Sequence, residues 1–209
     1  FLGLVFSSTD AGMSVPGGHG LGIGNNPLGF ALPQVGYPTL MADLCMAYSS
    51  LGNLKAMAQA GQSVPSYWGN DKHGNPTTDP AALLDGGATH PMAEHQGFAL
   101  ALLVESLTGV MAGGPTGDQI APGGGINTHN QAVIAINLAA FGGIEAIGER
   151  SRDLAGRLKA KHHGIRLPGE RSHACMKKSL EEGVEISDAL AKTLIEWSGR
   201  LGTQGPAPA

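Results

Sequence analysis

Imidazole, carboxylate and amide side chains crowd into His90-Pro91-Met92-Ala93-Glu94-His95-Gln96, just ahead of Gly97 and an almost charge-free run reaching about Ala112. Groups of these types so close together can move protons, ligate a metal or hold an anion. His95, Gln96 and Gly97 fall where a helix should begin. A helix start offers unpaired amides and the positive end of the helix dipole to an anion, and glycine lets a phosphate come close to the backbone. The plainer reading is that Glu94 or His95 caps the helix, and both stay open. A metal site is not expected. His90 and His95 are not at a facing helical spacing, the adjacent His162 and His163 would point about 100° apart on a helix, and no His-Glu-x-x-His occurs. A second candidate is Asp43, alone between Leu40-Met41-Ala42 and Leu44-Cys45-Met46 in an otherwise apolar stretch. A buried carboxylate is costly unless paired, so Asp43 reads either as an acceptor for loop amides or as a functional acid beside a ligand.

The elements that must position these groups can be read from hydropathy and turn residues. Residues 1–6 and 28–32 are short apolar runs between Gly, Pro, Asn and Ser clusters, which predicts strands joined by tight loops. Between them, Pro16-Gly-Gly-His-Gly-Leu-Gly-Ile-Gly-Asn-Asn-Pro27 suggests a dinucleotide fingerprint, but no window fits Gly-x-Gly-x-x-Gly and Pro27 ends the run. It reads as a loop whose glycines supply positive φ. A strand end followed by a helix that Gly61 terminates is expected over residues 41–61, then a long polar excursion over residues 63–80. From Gly97 to about Ala112 apolar residues occupy every face with Glu105 the only charge, which predicts a helix buried on most sides. Gln131 to Leu138 reads as a strand, and Ile144, Ile147, Leu154 and Leu158 form a helical stripe. A last helix is capped by Ser187 and stopped by Gly202. Strands alternating with helices argue for an α/β architecture.

Composition removes several function classes. With 42% hydrophobic and 14% charged residues over 209 positions, the chain can build a sizeable core. A net charge of −4 lacks the clustered basic surface that nucleic acid needs. No stretch reaches the roughly 18 apolar residues of a membrane span. Cys45 and Cys175 lie far apart without Cys-x-x-Cys partners, so no disulfide framework is expected and a reducing cytoplasm is the default compartment.

Taken in order, the blocks GLVFSSTDAGMSVPGG, GIGNNPLGFALP, QSVPSYWGNDKHGNPTTDP, EHQGFALALLVESLTGVMAG, AVIAINLAAFGG and RLPGERSHACMKKSLEEGVEI resemble the malate/L-lactate dehydrogenase family of the second type. That group also contains ureidoglycolate, sulfolactate and diketogulonate oxidoreductases and cyclic ketimine reductases. The resemblance covers Phe1 to about Gly202. It implies an α/β fold of three layers with a mixed, largely antiparallel sheet, not a classical Rossmann fold. It also implies an NAD- or NADP-dependent oxidoreductase acting on a 2-oxo or 2-hydroxy acid, or on a cyclic imine acid, usually as a homodimer. Residues 1–202 would then be a cofactor-binding domain with the family's C-terminal segment, and 203–209 a disordered tail.

Carried over residue by residue, the resemblance implies cofactor contacts at Ser8 and Thr9, at Asp43, Leu44 and Cys45, at Gln96 and Gly97, and at Pro168, Gly169 and Glu170. Gln96 stands where the family has a lysine that reaches a cofactor phosphate, which turns a charged contact into a neutral one of roughly half the strength. Gly24-Asn25-Asn26-Pro27 departs from the family's Gly-Thr-Asn-Pro. The family's acid/base histidine is expected in a region preceding Phe1, leaving Asp43 a supporting role. A non-catalytic relative serving as a ligand-binding or dimerisation module is the alternative from another class.

Overall fold

The computed structural model describes residues 1–120 and 129–205. The chain forms two compact units, Phe1–Pro168 and Gly169–Ala209. Within the first unit, β1 (Leu2–Ser7) lies between β4 (Leu28–Gln34) and β8 (Gln131–Ile136), and β5 (Tyr37–Leu44) pairs with β4. All three pairings are antiparallel. A second four-stranded sheet is present, in which β2 (Ala11–Met13) lies between β3 (Ile23–Gly24) and β7 (Ala88–Thr89), with β6 (Gly69–Asn70) beyond β7. β2 and β7 make the only parallel pairing among the described residues. Its strands are too short to stand out by alternation, so they cannot be read from hydropathy.

Local signals are realised where they were strong. Ser50 caps α1 (Leu51–Gln59) by accepting the Asn53 N–H, and Gly61 follows at φ 63°. In the polar excursion Asp71 closes a turn by accepting the N–H groups of His73 and Asn75, each at 2.9 Å. The Asn75 amide, foremost, holds the Asp71 carboxyl below the usual aspartate range. Asp79 caps the short α2 (Pro80–Leu84). One core cluster gathers Met13, Ile23, Met46, Ala47 and Ala101; a second gathers Leu54, Val64 and Leu83. α4 (Gly143–Lys161) approaches β4 closely: Gln34 donates to Ser151 Oγ at 2.9 Å, and Gly148 is buried.

The charge-free helix needs correction. α3 runs over His95–Glu105 and widens into a π turn over Ser106–Val110. It buries Gly97, Ala101, Val104 and Glu105, while Leu100, Leu102 and Leu103 remain 43–47% exposed. Apolarity on every face makes a helix fit for burial, but packing within this chain reaches only one side of it.

In the second unit, α5 (Glu170–Glu182) starts after Gly169 at φ 94°, and α6 (Asp188–Leu201) is capped by Ser187, whose Oγ accepts the Leu190 N–H at 3.3 Å. Thr203 N–H bonds the Ser198 carbonyl. The expected disordered tail lies outside the described residues from 206 onward. Among the described residues no helix is long and apolar enough to cross a membrane, and no group of three or more His, Cys, Asp and Glu side chains could hold a metal ion.

Candidate functional site

Three separate stretches meet at Asn25 and Asn26. Thr9 N–H donates to Asn26 Oδ1 at 3.2 Å, and Thr9 Oγ1 donates to Asn25 Oδ1 at 2.9 Å. Met46 N–H donates to the Asn25 carbonyl at 2.8 Å. Asn26 Nδ2 donates to the Ala101 carbonyl and to Glu105 Oε1, each at 3.0 Å, inside the protein. Gly117 N–H also donates to Glu105 Oε1, at 3.1 Å. The end of β1, the chain leaving β5 and the buried face of α3 are therefore fastened to one turn. Asn26 adopts φ 35°, a value asparagine tolerates better than most residues, and these bonds hold it there.

The chain after β5 is zipped to the chain before α3. Met92 N–H donates to the Met46 carbonyl at 2.8 Å, Tyr48 N–H to the His90 carbonyl at 3.2 Å, and Ala47 pairs with Pro91. This brings the Met46 carbonyl, one residue after Cys45, against Gly97. The individual side chains behave differently from one another. Asp43 is exposed on the edge strand β5, so the buried carboxylate considered from its apolar neighbours is not what folds. Leu44 is 41% exposed, and Cys45 is half-buried with its thiol donating to the Ala47 carbonyl. Ser8 is buried and bonds Asn130 through its Oγ. The Pro168 carbonyl accepts the Met41 N–H at 3.4 Å, while Gly169 and Glu170 begin the second unit.

At the start of α3, Gln96 N–H already donates to the Ala93 carbonyl and Gly97 N–H to the Met92 carbonyl, both at 3.1 Å. An anion at this turn would be met by the exposed side chains of His95 and Gln96 rather than by those two amides. Glycine at 97 has a packing reason: a Cβ there would collide with the Met92 carbonyl and lie 3.1 Å from that of Met46. Nor does Glu94 cap the helix. It occupies the N-cap position at φ 53°, ψ −115°, without a capping bond from its side chain.

A cavity of about 560 Å³ opens at the carboxyl ends of the parallel strands β2 and β7. Ser14, Val15, Pro16, Gly17 and Gly18, which follow β2, form one wall, and His90, Pro91 and Glu94, which follow β7, form another. Tyr48, Ser66, Tyr67 and Pro76 complete it. The crevice beyond the carboxyl ends of parallel strands is where open α/β sheets bind ligands. Tyr48 and Tyr67 meet edge to face, ring centroids 5.1 Å apart. His90 Nδ1 lies 3.1 Å from the Tyr67 carbonyl, which can only accept, so Nδ1 carries a proton and Nε2 is the nitrogen left for a ligand. None of the site residues inferred from the resemblance lines this cavity. His90 and Glu94 were visible as candidates, but Ser14, Tyr48, Ser66 and Tyr67 carry no mark in the sequence that joins them.

The family model for malate/L-lactate dehydrogenase matches residues 1–195. The chain is 34% identical over 181 residues to the Delta(1)-pyrroline-2-carboxylate/Delta(1)-piperideine-2-carboxylate reductase of Pseudomonas putida, covering 84% of this chain and 52% of that protein. It is 31% identical over 201 residues to the (2R)-3-sulfolactate dehydrogenase (NADP(+)) of Chromohalobacter salexigens, covering 93% and 58%. The crystal structure of delta1-piperideine-2-carboxylate reductase from Pseudomonas syringae pvar. tomato superposes with a TM-score of 0.85 at 29% identity, over 93% of this chain and 59% of that one. The chain thus spans little more than half the length of these relatives.

Proposed function

From the premise that this chain belongs to the malate/L-lactate dehydrogenase family, we propose that it binds NAD or NADP and serves an oxidoreductase acting at the carbon beside a carboxylate. The match over residues 1–195 carries this reading. When bound, the nicotinamide gives a hydride to that carbon or takes one from it, while a proton joins or leaves the neighbouring oxygen or nitrogen. The substrate is a 2-oxo/2-hydroxy acid of the malate or lactate kind, or a cyclic imine acid. The second has specific support in the reductase of 34% identity, whose name gives cyclic imine acids as its substrates.

The cavity suits part of such a cofactor. Its 560 Å³ falls within the ~300–1,000 Å³ usual for ligand pockets. Tyr48, Tyr67, Pro16 and Pro91 offer apolar surface to a flat ring, and Ser14, Ser66 and His90 offer hydrogen-bonding groups to ribose or carboxamide. In this reading Cys45 and Gln96 flank the cavity through the zipped segments, with Asp43 and Leu44 leading into them, and Gly97 fixes the turn. Thr9 acts through Asn25 and Asn26, and Ser8 through Asn130. Pro168, Gly169 and Glu170 remain proposed contacts. Asp43, being exposed, is available to orient a ligand or a group from elsewhere, but no step is assigned to it as the base.

The three-layer, non-Rossmann form of the family belongs to the same proposal, supported by the single short parallel pair among the described residues and by a glycine loop without the Rossmann fingerprint. So do a homodimer, supported by the exposed Leu100, Leu102 and Leu103 of α3, and a cytoplasmic setting, supported by two free thiols.

Titration with NADH and NADPH, read by nicotinamide fluorescence and thermal shift, tests the cofactor reading. Saturable binding, followed by turnover of 1-piperideine-2-carboxylate or of pyruvate and oxaloacetate, supports it and separates the two substrate classes. A folded chain that binds neither nucleotide is instead the non-catalytic module.

A further inference from the structure

We propose that the cavity selects acids carrying a positively charged nitrogen beside the carboxylate, and that Glu94, with the rings of Tyr48 and Tyr67, makes the selection. The inference rests on the reading of the cavity as the nicotinamide end of the coenzyme site and deepens it. Hydride passes only between carbons in contact, so a substrate must share the cavity with the nicotinamide. Among the described residues of the lining, Glu94 carries the one carboxylate, and lysine and arginine are absent. The one histidine there, His90, already has its Nδ1 engaged with the Tyr67 carbonyl. Tyr48 and Tyr67 add aromatic surface, which attracts a cation placed over a ring face. The fixed charge of the lining is therefore negative, and its apolar walls favour a cation over an anion.

A cyclic imine acid meets such a lining well. Its ring nitrogen takes a proton from solvent, the reduced nicotinamide gives hydride to the neighbouring carbon, and the C=N bond becomes a single bond as the nicotinamide is oxidised. The nitrogen is cationic in the iminium and again in the ring ammonium of the product, so a protein carboxylate nearby attracts it. A 2-hydroxy acid keeps an uncompensated negative charge, and malate carries two, so Glu94 repels each with no fixed cation to relieve it. The backbone singles out the same residue. At φ 53°, ψ −115°, Glu94 occupies a region that glycine adopts freely and side-chain-bearing residues rarely enter, and it gives the helix no capping bond in return. What it does supply there is a carboxylate at the mouth of the cavity. Glu94 is exposed, so water and salt screen its pull and the selection is modest.

Dissociation constants for L-pipecolate, L-lactate and L-malate test this, measured by isothermal titration on the chain loaded with the oxidised coenzyme it binds. L-Pipecolate, with its ring ammonium, should bind tightest and L-malate weakest, about tenfold apart. Glu94→Gln should narrow that spread by about threefold, and high salt should narrow it in the parent but not in the variant. Ala93→Gly relaxes the same turn and keeps the charge, so it should leave the spread as it is. The proposal is overturned if L-malate binds as tightly as L-pipecolate, if Glu94→Gln leaves the spread unchanged, or if Ala93→Gly narrows it as much. Coenzyme titration of the same samples separates the two readings. Nucleotide binding without a preference for L-pipecolate sinks this inference alone, whereas a chain shown to be folded by circular dichroism that binds neither nucleotide removes the cofactor reading and this inference with it.

Discussion

Asn26 and Glu94 are both non-glycine residues at positive φ, yet their surroundings differ completely. Asn26 is fully buried, and its side chain makes three hydrogen bonds that tie β1 to α3. Glu94 is exposed at the rim of the cavity, and its side chain gives no bond to the helix it precedes. Strain that is surrounded by satisfied polar partners is part of the scaffold; strain at a cavity mouth without them invites a functional reason. The two positions are joined through a single strip of chain, because the Asn25 carbonyl holds Met46 and Met46 holds Met92. A rigid hub thus carries a strained rim.

Substitutions can break this contrast in a graded way. Asn26→Ala should have the largest effect, a loss of about 3 kcal/mol or more in unfolding free energy. It removes three bonds and takes a donor from the buried Glu105 carboxylate, whose Oε2 has no partner among the described residues. A denaturant midpoint close to that of the parent would show that the hub is not what holds β1 to α3. Gly97→Ala comes next, at about 2 kcal/mol, because its Cβ must displace the Met92 carbonyl. If the melting temperature stays put, the turn before α3 is softer than the packing implies. At the rim the sign reverses: Glu94→Gly and Ala93→Gly should each stabilise by about 1 kcal/mol, since glycine accepts these conformations without steric cost. Destabilisation by either would mean that the rim is held by its side chains after all. The smallest effect falls on binding. Gln96→Lys should tighten nucleotide affinity by about 1 kcal/mol if the exposed side chain at 96 faces a phosphate, and an unchanged dissociation constant removes Gln96 from the site.

Some of the candidate site was legible before folding was considered. Glu105 stood out as the only charge of an apolar helix, and in the structure Asn26 and Gly117 bond it. The glycines of the Pro16–Pro27 loop announced positive φ, realised at Gly17 and Gly20. Asp43 misled because its neighbours in sequence are apolar, whereas its strand is an edge in space. Gly97 was legible as a close approach, but what approaches it is backbone.

The sequence by itself determined what depends on near neighbours: the β1 and β4 strands, the capping of α6 by Ser187, the glycine turns, and the ordered blocks that mark the family. Only the tertiary structure decided the cavity, the partners of Asn26 and the uncovered side of α3. The physical reason is distance along the chain. Periodicity and capping act over a few residues, whereas the cavity exists because β2 pairs with β7, placing Ser14 against Thr89, 75 positions later. Such a pairing leaves its record in the packing of the whole first unit and in no single stretch of residues.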